Sequence, residues 1–202
     1  MDRDRLVKQS KRLSWMLRHG AREVGLAMDS AGWVAVAEVL RVTGLTPAEL
    51  DEVVARNDKG RLQRDGDRIR ACQGHSLAGT PVTLEALEAS WEPFTGAGSL
   101  WHGTTVAAAE SIARVGLLPG ERTHVHLASS RDSPVGKRSN TPVVLEVSVE
   151  KLLATGREVF VAPNGVILAR DVPASCVAGV HAATRRARDE VPRLRRLFGI
   201  VE

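Results

Sequence analysis

The chain changes character once, at Pro93-Phe94-Thr95-Gly96-Ala97-Gly98-Ser99. One proline and two glycines within seven residues oppose both helix and strand, so the stretch reads as a linker. Before it, apolar residues recur at helical spacing. After it, they gather in short β-rich runs. That switch restricts the fold to two successive lobes with a boundary near residue 96. An α-rich lobe is expected over 1–95 and a β-rich lobe over 96–180, with an Arg-rich tail over 181–202. The fold class is α+β.

In the first lobe, Leu6, Leu13, Trp15, Met16 and Leu17 predict an amphipathic helix over 4–19, capped by Gly20. Asp29-Ser30-Ala31-Gly32 predicts a turn, and Trp33-Val34-Ala35-Val36 a short extended piece. A second helix is expected over 36–42. Thr46-Pro47-Ala48-Glu49 is a capping box with proline at the first helical position, so a third helix runs to about Arg56. Asp65-Gly66 between two short basic runs predicts a hairpin. Helices followed by a basic hairpin resemble a winged helix. In the second lobe, Val106 to Val115 predicts a helix closed by Gly116, and strands are expected over 142–149, 158–162 and 165–169.

A chain of 202 residues that is 43% hydrophobic can bury a core in one domain or two small ones. No apolar run is long enough to span a membrane, and no signal-type apolar segment follows Met1-Asp2-Arg3-Asp4. Cys72 and Cys176 form no C-x-x-C pair, so a reducing, cytoplasmic setting without a metal site is expected. The net charge is +4, and residues 1–95 hold 14 Lys/Arg against 14 Asp/Glu. The excess lies in the segment 185–196, with six Arg against Asp189 and Glu190. Such a segment attracts nucleic acid, but a solvated terminal helix is the plainer account. Nucleic-acid specificity must therefore come from individually placed Arg and His residues. With no Tyr and four Trp, few base-stacking surfaces are expected.

Two stretches of the second lobe belong together: Trp101-His102-Gly103-Thr104 and His124-Val125-His126-Leu127. A His-Gly-Thr turn, a helix and a strand carrying an inward His resemble the way ADP-ribosyltransferase-like folds hold NAD. No G-x-G-x-x-G is present; Gly96 and Gly98 are followed by Trp101 where the third glycine would fall. In the functional reading the His102 imidazole bonds a ribose hydroxyl. Gly103 lets the backbone approach the nicotinamide carboxamide, and Thr104 adds a hydroxyl or caps the following helix. The plainer reading makes His102 a core or turn residue. His124 and His126 share a face of a strand, as a metal pair or with His126 lining the ribose slot. Leu17-Arg18-His19-Gly20 places two cations at a helix C-terminus, where the helix dipole alone accounts for them. Arg61 is equally a hairpin surface charge, and Arg122 a loop residue.

Taken in order, these pieces resemble the RNA 2′-phosphotransferase family of KptA type, from about Lys8 to Val177. The match runs through Leu17-Arg18-His19 and Met28-Asp29-Ser30-Ala31-Gly32-Trp33-Val34. It continues through Asn57-Asp58-Lys59-Gly60-Arg61 and Ile69-Arg70-Ala71-Cys72-Gln73-Gly74-His75-Ser76. It closes with His102-Gly103-Thr104, Gly116-Leu117, Arg122-Thr123-His124-Val125-His126-Leu127 and Asn164-Gly165-Val166-Ile167-Leu168. The resemblance implies a winged-helix-like lobe that binds RNA phosphate, an ADP-ribosyltransferase-like lobe that binds NAD, and a cleft between them. It implies removal of an internal 2′-phosphate left at an RNA splice junction, as in tRNA splicing, with NAD consumed and no metal. By motif match the reacting tetrad is Arg18, His19, Arg61 and Arg122. NAD contacts map to His102, Gly103, Thr104, Gly116 and His126, with Ser129 and Ser130 beside them. Many ADP-ribosyltransferases carry a Glu where Val166 stands. Leu62 replaces a usual aromatic, Ala21 a common Pro and Ala128 a common Ser. A monomer is the default expectation. The role of His75 stays open between structural support and substrate contact. Competing readings are an ADP-ribosyltransferase for nucleic-acid terminal phosphates and a winged-helix nucleic-acid-binding protein.

Overall fold

Asp2 starts the first helix, α1 (Arg3–Trp15), by accepting a hydrogen bond from the Arg5 amide at 2.8 Å. The computed structural model describes residues 1–57, 59–133, 135–137 and 140–200. Asp58 of the Asn57–Arg61 motif and the last two residues of the tail lie outside them. Leu6 and Leu13 face inward from α1. The helix then widens into a π-turn, Met16–Gly20, that carries Arg18 and His19. Gly20 is not the expected left-handed cap, because Ala21 after it is still helical. Gly20 is instead buried under Trp15, and a Cβ there would stand 2.5 Å from the indole ring. The left-handed glycine comes five residues later, Gly25 at φ 65°.

The expected turn forms around Asp29, whose Oδ1 accepts from the amides of Ala31 and Trp33 at 2.9 and 2.8 Å. It leads into β1 (Val34–Ala35) and α2 (Val36–Thr43), which Gly44 closes at φ 70°. The Thr46–Glu49 capping box starts α3 (Pro47–Ala55) with both reciprocal bonds in place. β2 (Leu62–Asp65) and β3 (Arg68–Ala71) form the hairpin over Gly66. β3 lies between β1 and β2, antiparallel to both, with Ile69 opposite Val34 and Arg64. α4 (Leu84–Glu88) follows and buries Leu87. Leu13, Met16, Leu17, Leu50, Val53, Ile69 and Leu87 are all buried.

The chain divides into two compact units at β4 (Glu92–Pro93). The first contains Met1–Glu92 and also Glu121–Thr123, which returns to it from the middle of the second. The second contains Pro93–Gly120 and His124–Glu202. Its strands and helices are β5 (Ser99–Thr104), α5 (Val106–Val115), β6 (Val125–Leu127) and β7 (Val143–Ser148). α6 (Val149–Ala154), β8 (Val159–Val161), β9 (Ile167–Ala169), β10 (Val177–Ala182) and α7 (Val191–Leu197) follow. One antiparallel sheet runs β10-β7-β5; in the other, β8, β9 and β6 lie side by side. Leu100, Leu117, Leu127, Val147, Leu152 and Ile167 fill one apolar core. Val143, Leu145, Val180, Ala187 and Leu194 fill another beneath α7. The segment expected as a tail is therefore part of this unit: β10 reaches Ala182, and Leu194 is fully buried among charged neighbours in sequence. Arg193 pairs with Glu110 and Glu190 rather than standing free.

Candidate functional site

In the first unit, one short segment, 72–76, gathers three arginine-bearing stretches by backbone hydrogen bonds. The Cys72 amide donates to the Arg61 carbonyl at 2.9 Å, the Ser76 amide donates to the Arg18 carbonyl at 2.9 Å, and the Thr123 amide donates to the His75 carbonyl at 3.0 Å. Arg61, Arg18 and Arg122 are thus brought from positions over 100 residues apart in the chain. Each anchor is itself braced. Asn57 accepts from the Arg61 amide at 3.1 Å and donates to Ser10 on α1 at 3.1 Å. His75 is wholly buried against Gly32, where a Cβ would meet its Nε2 at 2.7 Å and where φ is 85°. Its carbonyl holds Thr123, the residue next to Arg122.

The π-turn is the second device. Its widened ring leaves carbonyls that an α-turn would have used, a common feature of functional sites. The Arg18 carbonyl takes the Ser76 amide. Gly79 passes so close to the His19 carbonyl that a Cβ would fall on its oxygen. The Arg22 amide and Nη1 donate to the carbonyls of Gly79 and Ala78, both at 3.2 Å. Thr80 Oγ1 closes the loop on the Ser76 carbonyl at 2.7 Å.

The electrostatics follow from this crowding. Burial, then the positive charges of Arg122 and Arg61, lower the Arg18 pKa to about 10. A guanidinium so shifted still carries its charge at neutral pH. Arg18 Nε and Nη2 are buried with no partner among the described residues. Burial, Arg18 and Arg122 also push His19 below the ordinary histidine range, against the opposing charge of Glu121. Like charges held together with buried, unmatched donors make a receptor for an anion. Cys72, beside Arg18 and Arg70, is no rival nucleophile: burial raises its thiol to about 11, and its Sγ donates to the Gly60 carbonyl at 3.2 Å.

In the second unit, His102 sits on β5 and its Nδ1 donates to the carbonyl of His126 on β6 at 3.0 Å. A carbonyl only accepts, so Nδ1 holds a proton. Trp101 and Ala128 exchange both backbone bonds, at 2.9 and 2.8 Å, joining the edges of the two sheets in an isolated bridge. Backbone groups of an extended strand alternate between its edges. Gly103, two residues past Trp101, therefore directs its N–H and C=O to that same edge, beyond Ala128. One donor and one acceptor side by side match a carboxamide, and the missing side chain admits close approach.

The remaining expected residues fall as follows. Thr104 is buried at the end of β5, and the helix cap is its neighbour Thr105, whose hydroxyl accepts from Ala108 at 3.1 Å. Gly116 ends α5 at φ 81°, packed on the Val172 carbonyl. His126 is half-buried on β6, whereas His124 precedes the strand, is buried and meets Phe160 edge-on at 6.5 Å. The two histidines do not share one strand face as a pair. Ser129 and Ser130 are exposed just after Ala128. Val166 is buried before β9, and its carbonyl accepts from Ala162 at 2.9 Å. Sequence reasoning missed the gathering role of 72–76 and the return of Glu121–Thr123 to the first unit. It also missed a chain of bonds across the β10-β7-β5 sheet, in which Ser99 donates to Glu146 at 2.6 Å and Glu146 pairs with His181 at 2.9 Å.

Comparison with known proteins gives a consistent result. Residues 4–171 match the model of the RNA 2′-phosphotransferase, Tpt1 / KptA family. A probable RNA 2′-phosphotransferase of Agrobacterium fabrum is 41% identical over 175 residues, covering 82% of this chain and 90% of the relative. One from Streptomyces griseus is 42% identical over 189 residues, covering 86% and 96%. One from Streptomyces coelicolor is 40% identical over 180 residues, covering 86% and 94%. With the matched region holding the arginine cluster, the π-turn and the His102 strand together, the chain belongs to the RNA 2′-phosphotransferase, Tpt1 / KptA family.

Proposed function

We propose that this protein removes an internal 2′-phosphate from RNA by transferring it to NAD. The observation that carries the proposal is the convergence of Arg18, Arg61 and Arg122 on the segment 72–76, with buried donors of Arg18 awaiting an anion. The relatives carry the name RNA 2′-phosphotransferase. In this reading the first unit is winged-helix-like and holds the RNA phosphate, and the second is ADP-ribosyltransferase-like and holds NAD as co-substrate.

Two steps account for the residues. In the first, an oxygen of the RNA 2′-phosphate attacks C1″ of the nicotinamide ribose, and the C–N bond to nicotinamide breaks. A phosphate monoester is largely dianionic at neutral pH and needs no general base. A buried Val166 in place of an acidic residue suits that chemistry. His102 Nε2 and the Gly103 backbone orient the ribose and the carboxamide. In the second step, the ribose 2″-hydroxyl attacks phosphorus and the bond to the RNA 2′-oxygen breaks. The proton lost by the 2″-hydroxyl balances the one gained by the RNA oxygen, and in this reading His19 donates the latter. Products are RNA with a 2′-hydroxyl, ADP-ribose 1″,2″-cyclic phosphate and nicotinamide. Arginine forks match phosphate oxygens, and a preorganised donor of this kind lowers such a barrier by about 2–4 kcal/mol. These cations supply the positive charge, so the steps run without a metal ion. The natural setting we assign is cytoplasmic RNA processing of the tRNA-splicing kind.

The test is direct: incubate the protein with NAD and an oligonucleotide bearing one internal 2′-phosphate, and separately with a 5′-phosphorylated one. Cyclic sugar phosphate from the first is the expected result. ADP-ribosylation confined to the 5′-phosphorylated strand would replace this reading with that of a terminal-phosphate ADP-ribosyltransferase.

A further inference from the structure

Trp15 differs from the other three tryptophans. Trp91 is buried, with its Nε1 donating to the Cys72 carbonyl at 3.0 Å. Trp33 lies beneath Arg68 and Arg70, whose guanidinium carbons are 4.8 and 4.5 Å from its ring centre. Trp101 packs on His181 with ring centres 5.4 Å apart. Trp15 is 40% exposed. It is nonetheless not loose. Its benzo edge rests on Gly20, where a Cβ would meet Cη2, Cζ2 and Cζ3 at 2.5, 2.7 and 2.8 Å. The backbone has been cleared of a side chain to seat a large ring that then stays partly in water.

The position of that ring is informative. Trp15 is the last residue of α1 and leads directly into the π-turn, with Arg18 three and His19 four residues on. The ring rests on Gly20, the residue that follows His19, so its aromatic face lies beside the segment that carries both cations. The cations of the cluster draw in a polyanion, and an aromatic face beside them suits the apolar faces of its bases.

We propose that Trp15 stacks on a base next to the nucleotide whose 2′-phosphate is held by Arg18 and His19, and so makes the protein prefer a phosphate embedded in RNA to a bare phosphate. The proposal deepens the function given above and rests on it. Because every base has a π-face, the preference is for the presence of a base and not for its identity.

The experiment measures binding of a labelled oligonucleotide with one internal 2′-phosphate, without NAD, by fluorescence anisotropy on the full chain. Trp15→Leu keeps apolar bulk against Gly20 but removes the π-face; Trp15→Phe keeps a smaller one. A second oligonucleotide carries abasic sites on both sides of the phosphate-bearing nucleotide. Trp15→Leu should weaken binding of the first about tenfold and Trp15→Phe clearly less, while all three proteins bind the abasic strand alike. Equal loss on both strands, or no loss on either, overturns the proposal. Turnover with NAD is read separately: a base-dependent Trp15 effect without turnover would sink the catalytic reading and leave the stacking role standing.

Discussion

His19 shares its surroundings with Arg18 and Arg122, and that company fixes the sign of its pH behaviour. Burial and both cations favour the neutral ring, so its pKa in the free protein lies below the ordinary value. A group depressed on folding contributes stability above its unfolded pKa, and that contribution is lost as pH falls through the folded one. In the proposed function, a bound phosphate would reverse the local field and return a proton to the ring. A phosphate monoester should therefore bind more tightly as pH falls from about 8 toward its own second pKa near 6, with uptake of a proton. An NMR titration of the His19 ring should show its pKa rising on addition of phosphate, and His19→Asn should flatten the pH dependence of phosphate affinity. The same crowding makes Arg122→Gln a revealing change. It removes a like charge, so the phosphate-free protein should melt about 1–2 °C higher, a small gain because Arg122 is exposed and screened. Phosphate should then raise the melting temperature far less than in the parent protein. A lower phosphate-free melting temperature would contradict the repulsion.

The π-turn and the loop 73–80 are tied by backbone bonds from Ser76 to Arg18 and from Arg22 to Gly79. Gly79→Ala puts a methyl group onto the His19 carbonyl oxygen, which is backbone and cannot swing aside. Urea unfolding should show a loss of about 2–3 kcal/mol, and phosphate affinity should fall with it because the Ser76–Arg18 bond is strained. Unchanged stability would mean the loop does not clamp the turn. The same contrast explains what the sequence could and could not disclose. The Thr46–Glu49 capping box, the Asp29 turn and the Asp65–Gly66 hairpin were legible because each is closed by residues within a few positions. Gly20 misled, since a glycine after a helix reads as a left-handed cap, while here it clears space for Trp15. The π-turn depends on partners some 60 residues away, which no local pattern carries. Arg18, His19, Arg61 and Arg122 were named from family motifs; the segment 72–76 stood in another of those motifs, but its backbone bonds to their stretches are not written in its side chains. The segment after residue 181 looked like a solvated tail because its arginines outnumber Leu194, whose burial ties it down.

At the scale of the whole molecule, the proposed function assigns the two chemical steps unequally to the two units, and that division is testable by order of events. His102 and Gly103 belong to the second unit and serve the first step; Arg18, His19 and Arg122 belong to the first unit and bear most on the second step. Arg18→Ala, His19→Ala and Arg122→Ala should each slow the second step more than the first, so that RNA carrying ADP-ribose on its 2′-phosphate accumulates and nicotinamide is released without matching 2′-hydroxyl RNA. The loss at one arginine should be on the order of 10²–10³-fold in the second step. His102→Ala should instead reduce both products in parallel, because nothing downstream can exceed the supply of the adduct. The double variant His102→Ala/Arg122→Ala separates this scheme from a general loss of fold. Sequential steps require it to resemble His102→Ala in nicotinamide release and to build adduct only as fast as that slowed first step supplies it. Labelled RNA on a denaturing gel, read beside a nicotinamide assay, follows both quantities in one time course. Adduct accumulating in the double variant as fast as in Arg122→Ala would show that His102 has no part in the first step, and full turnover by any single arginine variant would strip that residue of its role.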